Sequence, residues 1–378
     1  MSNARAPIKS IAIIGAGIVG LSCALEIARR GIRVTLYEWN WPPRGASWAA
    51  AGMLAPAFEA IGVSGSHPKL FDLCDAGARL WPDWATRLEQ ESGLSSGYQP
   101  GPSLAVAFSE EEVARLSAVE AALADHDLPP EVCTDRVREV EPTLTDSVRS
   151  AVLLPSDGQA DSRQTLQALV ACAEQYELIR IQMREAPLSL KDGVLDHAGH
   201  DATLVTAGWQ SPSILVEEAR EAFSLLDLAP ELGQVEPIAG QMLALNPIEN
   251  GPTMTIRSGH VYIVPKADRI VVGATSERGR VLSSPEPAQI EALRARAVEI
   301  CPALADAKIL ESWAGVRPGL RNHAPVMGET KTPNLFVATG HYRNGILLAP
   351  ITAQIMADLI LTGDAGELGR AFQPDAAT

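Results

Sequence analysis

A glycine-spaced run, Gly15-Ala16-Gly17-Ile18-Val19-Gly20, stands between a β-branched stretch and an amphipathic one near the start of a chain of 378 residues. Gly15 allows a tight turn, Gly17 lets the main chain approach a pyrophosphate, and Gly20 lets the following helix pack close to a sheet. The first N–H groups of that helix have no partner within it, and its dipole favours negative charge there. Glu38 ends the next extended run, about twenty residues on, where a carboxylate accepts hydrogen bonds from both ribose hydroxyls and repels a 2′-phosphate. That chemistry is dinucleotide binding. The pattern alone does not separate a flavin dinucleotide from a nicotinamide one.

Other residues are suited to chemistry but have plainer readings when taken singly. Ala49-Ala50-Ala51-Gly52 is a run of small side chains that lets the main chain lie against a flat ring, or simply opens a tightly packed helix. Met53 is a soft pocket wall or core filler. His260 and Tyr262 alternate on an expected strand and so face the same side. Arg317 lies in Val316-Arg317-Pro318-Gly319, which reads as a rigid, irregular stretch. A guanidinium can grip a carboxylate through two parallel hydrogen bonds, or make a surface ion pair. Arg343 lies in a turn over 340–347 that leads into the last helix.

These residues need elements to hold them. Residues 11–14 read as a strand, 18–30 as a helix and 34–38 as a second strand, a βαβ unit. Apolar positions recur at helical spacing over 67–92, with Pro82 expected to kink or split that helix. Ser109 and Glu112 are spaced as a capping box for a helix to about Ala124. Residues 162–177 read as helix, and Asp192-Gly193 as the turn of a hairpin. Strands follow at 241–245, 261–264 and 270–272, then a helix at 285–300, a strand at 335–339 and a helix near 346–361.

The bulk numbers narrow the function. Hydrophobic residues make up 46% of the chain, enough for a large core and for two domains. A formal net charge of −15 argues against nucleic acid or anionic lipid as a general partner. The five cysteines, at 23, 74, 133, 172 and 301, are scattered without metal-ligand spacing, as free thiols in a reducing cytoplasm would be, and no metal site is expected. Residues 11–25 resemble a signal-peptide core but carry three spaced glycines. Residues 345–363 are apolar but interrupted by Pro350, Gln354 and Asp358, so neither stretch reads as a membrane span.

Several blocks together resemble the D-amino acid oxidase superfamily, and within it the glycine oxidases of the thiamine pathway. They are ASWAAAGMLAP at 46–56, GHVYIVP at 259–265, VVGATSE at 271–277, ESWAGVRPG at 311–319 and FVATGHYRNGILLAP at 336–350. The resemblance runs across nearly the whole chain. It implies non-covalent FAD and an α/β fold, with a Rossmann-like FAD-binding domain beside an α+β substrate domain on a large mixed or antiparallel sheet. The implied FAD domain takes residues 1–60, 150–225 and 312–378, and the substrate domain 61–149 and 226–311. It also implies that Ile18 and Val19 lie at the phosphates and Glu38 at the adenosine ribose. Ala46, Ser47, Ala51, Gly52 and Met53 would line the flavin, with Leu188 touching the cofactor through its main chain. Gly340, His341, Tyr342, Arg343, Asn344, Gly345, Ile346 and Leu347 would wrap the ring system, with a helix N-terminus favouring negative charge on it. Arg317 and Arg343 would bind the substrate carboxylate, although Arg343 could instead hold the loop beneath the flavin. His260 and Tyr262 would face the same pocket, neither as an acid or base. Trp48, Lys266 and Ser276 depart from the family pattern.

The expected reaction is oxidative deamination of glycine, with sarcosine and small D-amino acids as co-substrates and dioxygen as acceptor. The rivals are a dehydrogenase of the same superfamily using a quinone or carrier, a non-catalytic flavin-binding module, and a NAD-dependent dehydrogenase. A homo-oligomer, of the tetrameric kind common among related enzymes, is implied by the same resemblance.

Overall fold

The computed structural model describes residues 7–374 except 62–64, 127, 129, 220 and 260. The glycine motif sits at the centre of a six-stranded sheet. Its order is Val326–Glu329, Leu335–Thr339, Ala202–Val205, Ser10–Ile14, Arg33–Tyr37 and Ile179–Gln182. All neighbours are parallel except the first pair. Ser10–Ile14 is buried along its whole length, which is why it reads as a continuous apolar run rather than an alternating one. Helices Ile18–Arg29, Leu70–Ser92, Ser162–Gln175 and Gly345–Thr362 share the largest core cluster on one face of this sheet. On the other face, Ile14, Val205, Leu335 and Val337 join a cluster with Leu188, Val216 and Leu232. There a small four-stranded sheet includes the expected hairpin, with Asp192 and Gly193 both at positive φ as its turn requires.

The helix Leu70–Ser92 was expected with the substrate-side segments. It packs instead into the core of the dinucleotide layer, and the Trp81 Nε1–H donates to the Leu347 carbonyl at 3.1 Å. Pro82 neither splits nor ends it. The capping box forms as read, with Ser109 and Glu112 each accepting from the other's main-chain N–H. The helix expected from 285 begins at Pro287, where the missing N–H costs nothing.

The second large sheet has nine strands and is mixed. Thr255–Ser258 runs parallel to Ser103–Ala107, and the other pairings are antiparallel. Its strands alternate with period two. Leu243, Leu245, Ile263 and Val272 face the helix Pro287–Ile300, whereas Met242, Ala244, Tyr262 and Val271 face Ala49 and Ala51. The second face therefore looks back at the small-residue segment that follows the glycine motif, and the site lies between the two sheets.

The expectation of an irregular stretch around Arg317 is corrected. Residues Ile309–Gly319 form one strand, paired antiparallel with Glu236–Leu245. Pro318 stands opposite Pro237, so neither strand loses a ladder hydrogen bond that its partner could have offered.

Candidate active site

One cavity of about 730 Å³ runs from the glycine motif to the large sheet. Gly15, at φ +100°, makes the turn. A Cβ on Gly20 would lie 1.9 Å from the Gly15 carbonyl oxygen, so only glycine lets this helix meet its own turn. The helix opens at Ile18 with no capping side chain on Gly17. The Ile18 N–H donates to Ser47 Oγ and the Ala16 N–H to Glu38 Oε2, each at 3.0 Å. Glu38 Oε1 accepts from the Asn40 N–H at 3.1 Å, so each carboxylate oxygen keeps capacity for a further hydrogen bond, and Glu38 lines the cavity. This cradle fits a pyrophosphate and a ribose.

The next wall is made of Ala46, Ser47, Ala49, Ala50, Ala51, Gly52 and Met53. Gly52 has φ +79°, and a Cβ there would meet the Ala160 carbonyl oxygen at 1.9 Å. Behind that contact sits Lys266, whose ammonium donates to the same oxygen at 2.8 Å and to Gln159 Oε1 at 2.9 Å. Burial pulls Lys266 down to about 7, against the pull of Asp161. This lysine thus stands behind the wall and is not part of the cavity lining. Trp48 also stands behind it, with the Arg163 guanidinium 3.9 Å from its ring centroid and Trp313 edge-on at 6.2 Å. The Trp313 Nε1–H donates to the Ala49 carbonyl at 3.0 Å.

His341, Tyr342, Arg343, Asn344, Gly345 and Ile346 close the cavity from the far end, where the helix Gly345–Thr362 begins. His341 is buried against the Thr352 hydroxyl at 3.0 Å, and burial pulls it down to about 4, so its imidazole is neutral. Tyr342 has φ +49°, and its N–H donates to the Pro318 carbonyl at 2.8 Å. Its hydroxyl meets Ser276 Oγ at 3.2 Å. Burial alone would raise Tyr342, but Arg343, Ser276 and Arg317 outweigh it and its pKa is lowered. Gly340 and Leu347 flank this loop without lining the cavity. Gly340 makes room for Leu320, and the Leu347 side chain belongs to the core.

Arg317, Arg343, Tyr262 and Met53 line the same cavity. The Arg317 guanidinium donates to the Thr275 carbonyl at 3.3 Å and lies across Gly240, where a Cβ would be 2.2 Å from Nη1. Gly240 pairs directly with Gly315, whose own missing Cβ would be 2.5 Å from Ala49 Cβ. These facing glycines let the arginine lie flat on one strand and the small-residue segment press on the other. Tyr262 Oη is 3.7 Å from Met242 Sδ, in space that a Cβ on Gly273 would take. Arg343 is half-buried, its guanidinium 5.3 Å from the Tyr342 ring centroid. His260 lies outside the described residues.

Leu188 is not brought to the cavity. Its N–H donates to Ala186 and its carbonyl accepts from Glu217, so its main chain is spent within the small sheet, while Arg184, Glu185 and Ala186 form that wall. Gly20 is likewise a packing residue rather than a lining one. Gly240, Gly315 and Arg257 were not read from the sequence. The facing glycines become visible only once the strands are paired, and Arg257 carries no local motif. Gly345–Thr362 is long and apolar enough to cross a membrane by composition, but 67% of its most apolar window is buried inside this fold.

Comparisons with known proteins agree with this geometry. The chain is 34% identical over 373 residues to the bifunctional protein ThiO/ThiG of Synechocystis sp., covering 96% of this chain and 53% of that protein, so it spans about half the length of that relative. It is 30% identical to the glycine oxidase of Geobacillus kaustophilus, covering 93% of this chain and 92% of the relative. The crystal structure of glycine oxidase from Geobacillus kaustophilus superposes with a TM-score of 0.81 at 29% identity, over 93% of this chain and 94% of that one. The profile of the DAO family, described as FAD dependent oxidoreductase, matches residues 10–359. Cradle, small-residue wall and closing loop all fit a flavin dinucleotide, and the chain belongs to the DAO family of FAD-dependent oxidoreductases.

Proposed function

We propose that the protein oxidises glycine, with sarcosine and small D-amino acids as further substrates, to the 2-oxo acid and ammonia, or methylamine in the case of sarcosine. The observation that carries this reading is the Arg317 guanidinium, laid flat over Gly240 in the cavity that also holds the dinucleotide cradle. The glycine turn, Glu38 and the small-residue wall would hold FAD, which would supply a two-electron acceptor for the α-carbon hydride, with dioxygen as the final acceptor and hydrogen peroxide as its product.

The chain's own part is positioning. Arg317 grips the carboxylate in two parallel hydrogen bonds, which fixes orientation as well as distance. Tyr262 offers its hydroxyl to the same carboxylate, and Arg343 adds positive charge at that end of the cavity. No acid or base is required of His341, which is neutral throughout the physiological range. Water hydrolyses the released imine. Similarity to ThiO/ThiG proteins supports a role for that imine in making a thiazole.

Anaerobic mixing with glycine, followed at the oxidised-flavin band, tests the reading. Wild-type protein should bleach and, on admission of air, form peroxide. Arg317→Ala should keep bound FAD and lose bleaching by at least a hundredfold, on the order of the 3 kcal/mol that a charge-assisted pair supplies. Bleaching of the variant at the wild-type rate would remove Arg317 from this role. Bleaching without peroxide would point to another electron acceptor.

A further inference from the structure

The small-residue wall is held from behind. The Ser162 hydroxyl donates to the Ala50 carbonyl at 2.6 Å and the Ala160 N–H to the Gly52 carbonyl at 2.8 Å. Met53 and Leu54 pair antiparallel with Gln159 and Gly158. Gly52 lies so near the Ala160 carbonyl oxygen that no side chain fits between them. A shift of that oxygen is therefore passed to the wall.

Lys266 fixes the oxygen. It follows the strand Val261–Pro265 of the nine-stranded sheet, and its main-chain N–H donates to the Arg269 carbonyl at 2.7 Å. Its amino group crosses to the Ala160 carbonyl and to Gln159 Oε1. The Gln159 amide returns to the Pro265 carbonyl at 3.0 Å and closes the ring of contacts. The charged groups that act on the amine are Asp161 and Arg269, which pair with each other at 2.7 Å. Asp161 is held in place as the cap of the helix Ser162–Gln175. A neutral donor would satisfy the Ala160 carbonyl, and burying an amine costs free energy that a neutral donor would spare. What the amine adds is a charge-assisted bond, shorter and about twice as strong as a neutral one.

We propose that Lys266 is a positioning residue for the flavin, its charged amine pinning Ala160 and so the wall Ala50–Met53 against which the ring system lies. Burial brings the amine to about 7, so the hold should weaken as pH rises through that value. Arginine, which stands here in the family pattern, keeps its charge throughout. Holoenzyme at a series of dilutions gives the FAD Kd from the fluorescence of released cofactor, between pH 6 and pH 8.5, for wild type, Lys266→Arg and Lys266→Met. The wild-type Kd should rise about fivefold with pH, as loss of a charge-assisted bond requires. Lys266→Met should bind FAD about tenfold more weakly at pH 6, and its Kd should not change with pH. Lys266→Arg should match wild type at pH 6 and stay constant to pH 8.5. Should Lys266→Met not fold, the wild-type and arginine profiles still decide. Three results would overturn the proposal: an unchanged Kd in Lys266→Met, even with a lowered apoprotein Tm; a wild-type Kd constant across this pH range; or the same pH slope in wild type and Lys266→Arg. Because the hold is on FAD, a failure of glycine to bleach the flavin would remove the oxidase reading and leave this one standing.

Discussion

At the scale of single residues, burial decides more than chemical type. His341 and Lys266 are both bases that burial pulls down, to about 4 and about 7. His341 folds in its neutral form, whereas the unfolded chain protonates near 6.5. Between those values the unfolded state binds more protons, so this residue's contribution to stability is present above about pH 6.5 and is lost as pH falls toward 4. The loss amounts to about 3 kcal/mol across that window. His341→Gln keeps a hydrogen-bonding group near Thr352 and removes the titration. Urea unfolding of both proteins at pH 7 and pH 4.5 should show the variant losing less stability than wild type. A parallel decline in the two would mean that another group carries the acid sensitivity.

At the scale of elements, paired strands create room that neither strand contains alone. Gly240 and Gly315 face each other across the ladder, and each missing Cβ is filled by something the site uses. Gly240→Ala would place its methyl group 2.2 Å from Arg317 Nη1. The far end of a long side chain can move, so the fold should lose no more than about 1 kcal/mol. The guanidinium, however, should leave its place over the strand. The expected outcome is a KM for glycine raised about tenfold or more, with FAD content unchanged, as about 1.4 kcal/mol of lost carboxylate binding requires. An unchanged KM would show that the flat seat on Gly240 does not matter to substrate.

Gln241 shows the same logic one residue along. It is fully buried, its carbonyl accepts from the Thr275 N–H, its own N–H donates to the Thr275 hydroxyl, and its amide ties Glu277 and Glu286. Thr275 is the residue whose carbonyl receives Arg317. The strand therefore supplies the arginine's seat and also holds the segment that orients it.

At the scale of the whole molecule, the cavity is bounded by both large sheets, so the dinucleotide is expected to join them. Anything that binds the folded state alone stabilises it, by about 2.7 kcal/mol at a hundredfold excess over Kd. Stripping FAD should lower the Tm by several degrees, and adding it back should restore the loss in a concentration-dependent way. A Tm indifferent to FAD would mean that the cavity is not closed by the cofactor.

What the chain's local order determined was the dinucleotide unit, the capping box at Ser109, the hairpin at Asp192-Gly193 and the strand and helix that frame the closing loop. Each depends on neighbours a few residues apart, through turn conformation, caps and periodicity. The resemblance of longer blocks supplied FAD and the large sheet. Tertiary structure alone decided the rest. Pro318 reads as a strand breaker until Pro237 is set opposite it, and Gly240 and Gly315 are ordinary glycines until they face each other. Leu188 stays within its small sheet because Ala186 and Glu217 take its main-chain groups, and Leu70–Ser92 joins the dinucleotide layer because its apolar stripe finds that core. Arg257 reaches the cavity through a row of pairings between residues far apart in sequence. Such pairings are set by the burial of whole faces, which local spacing does not encode.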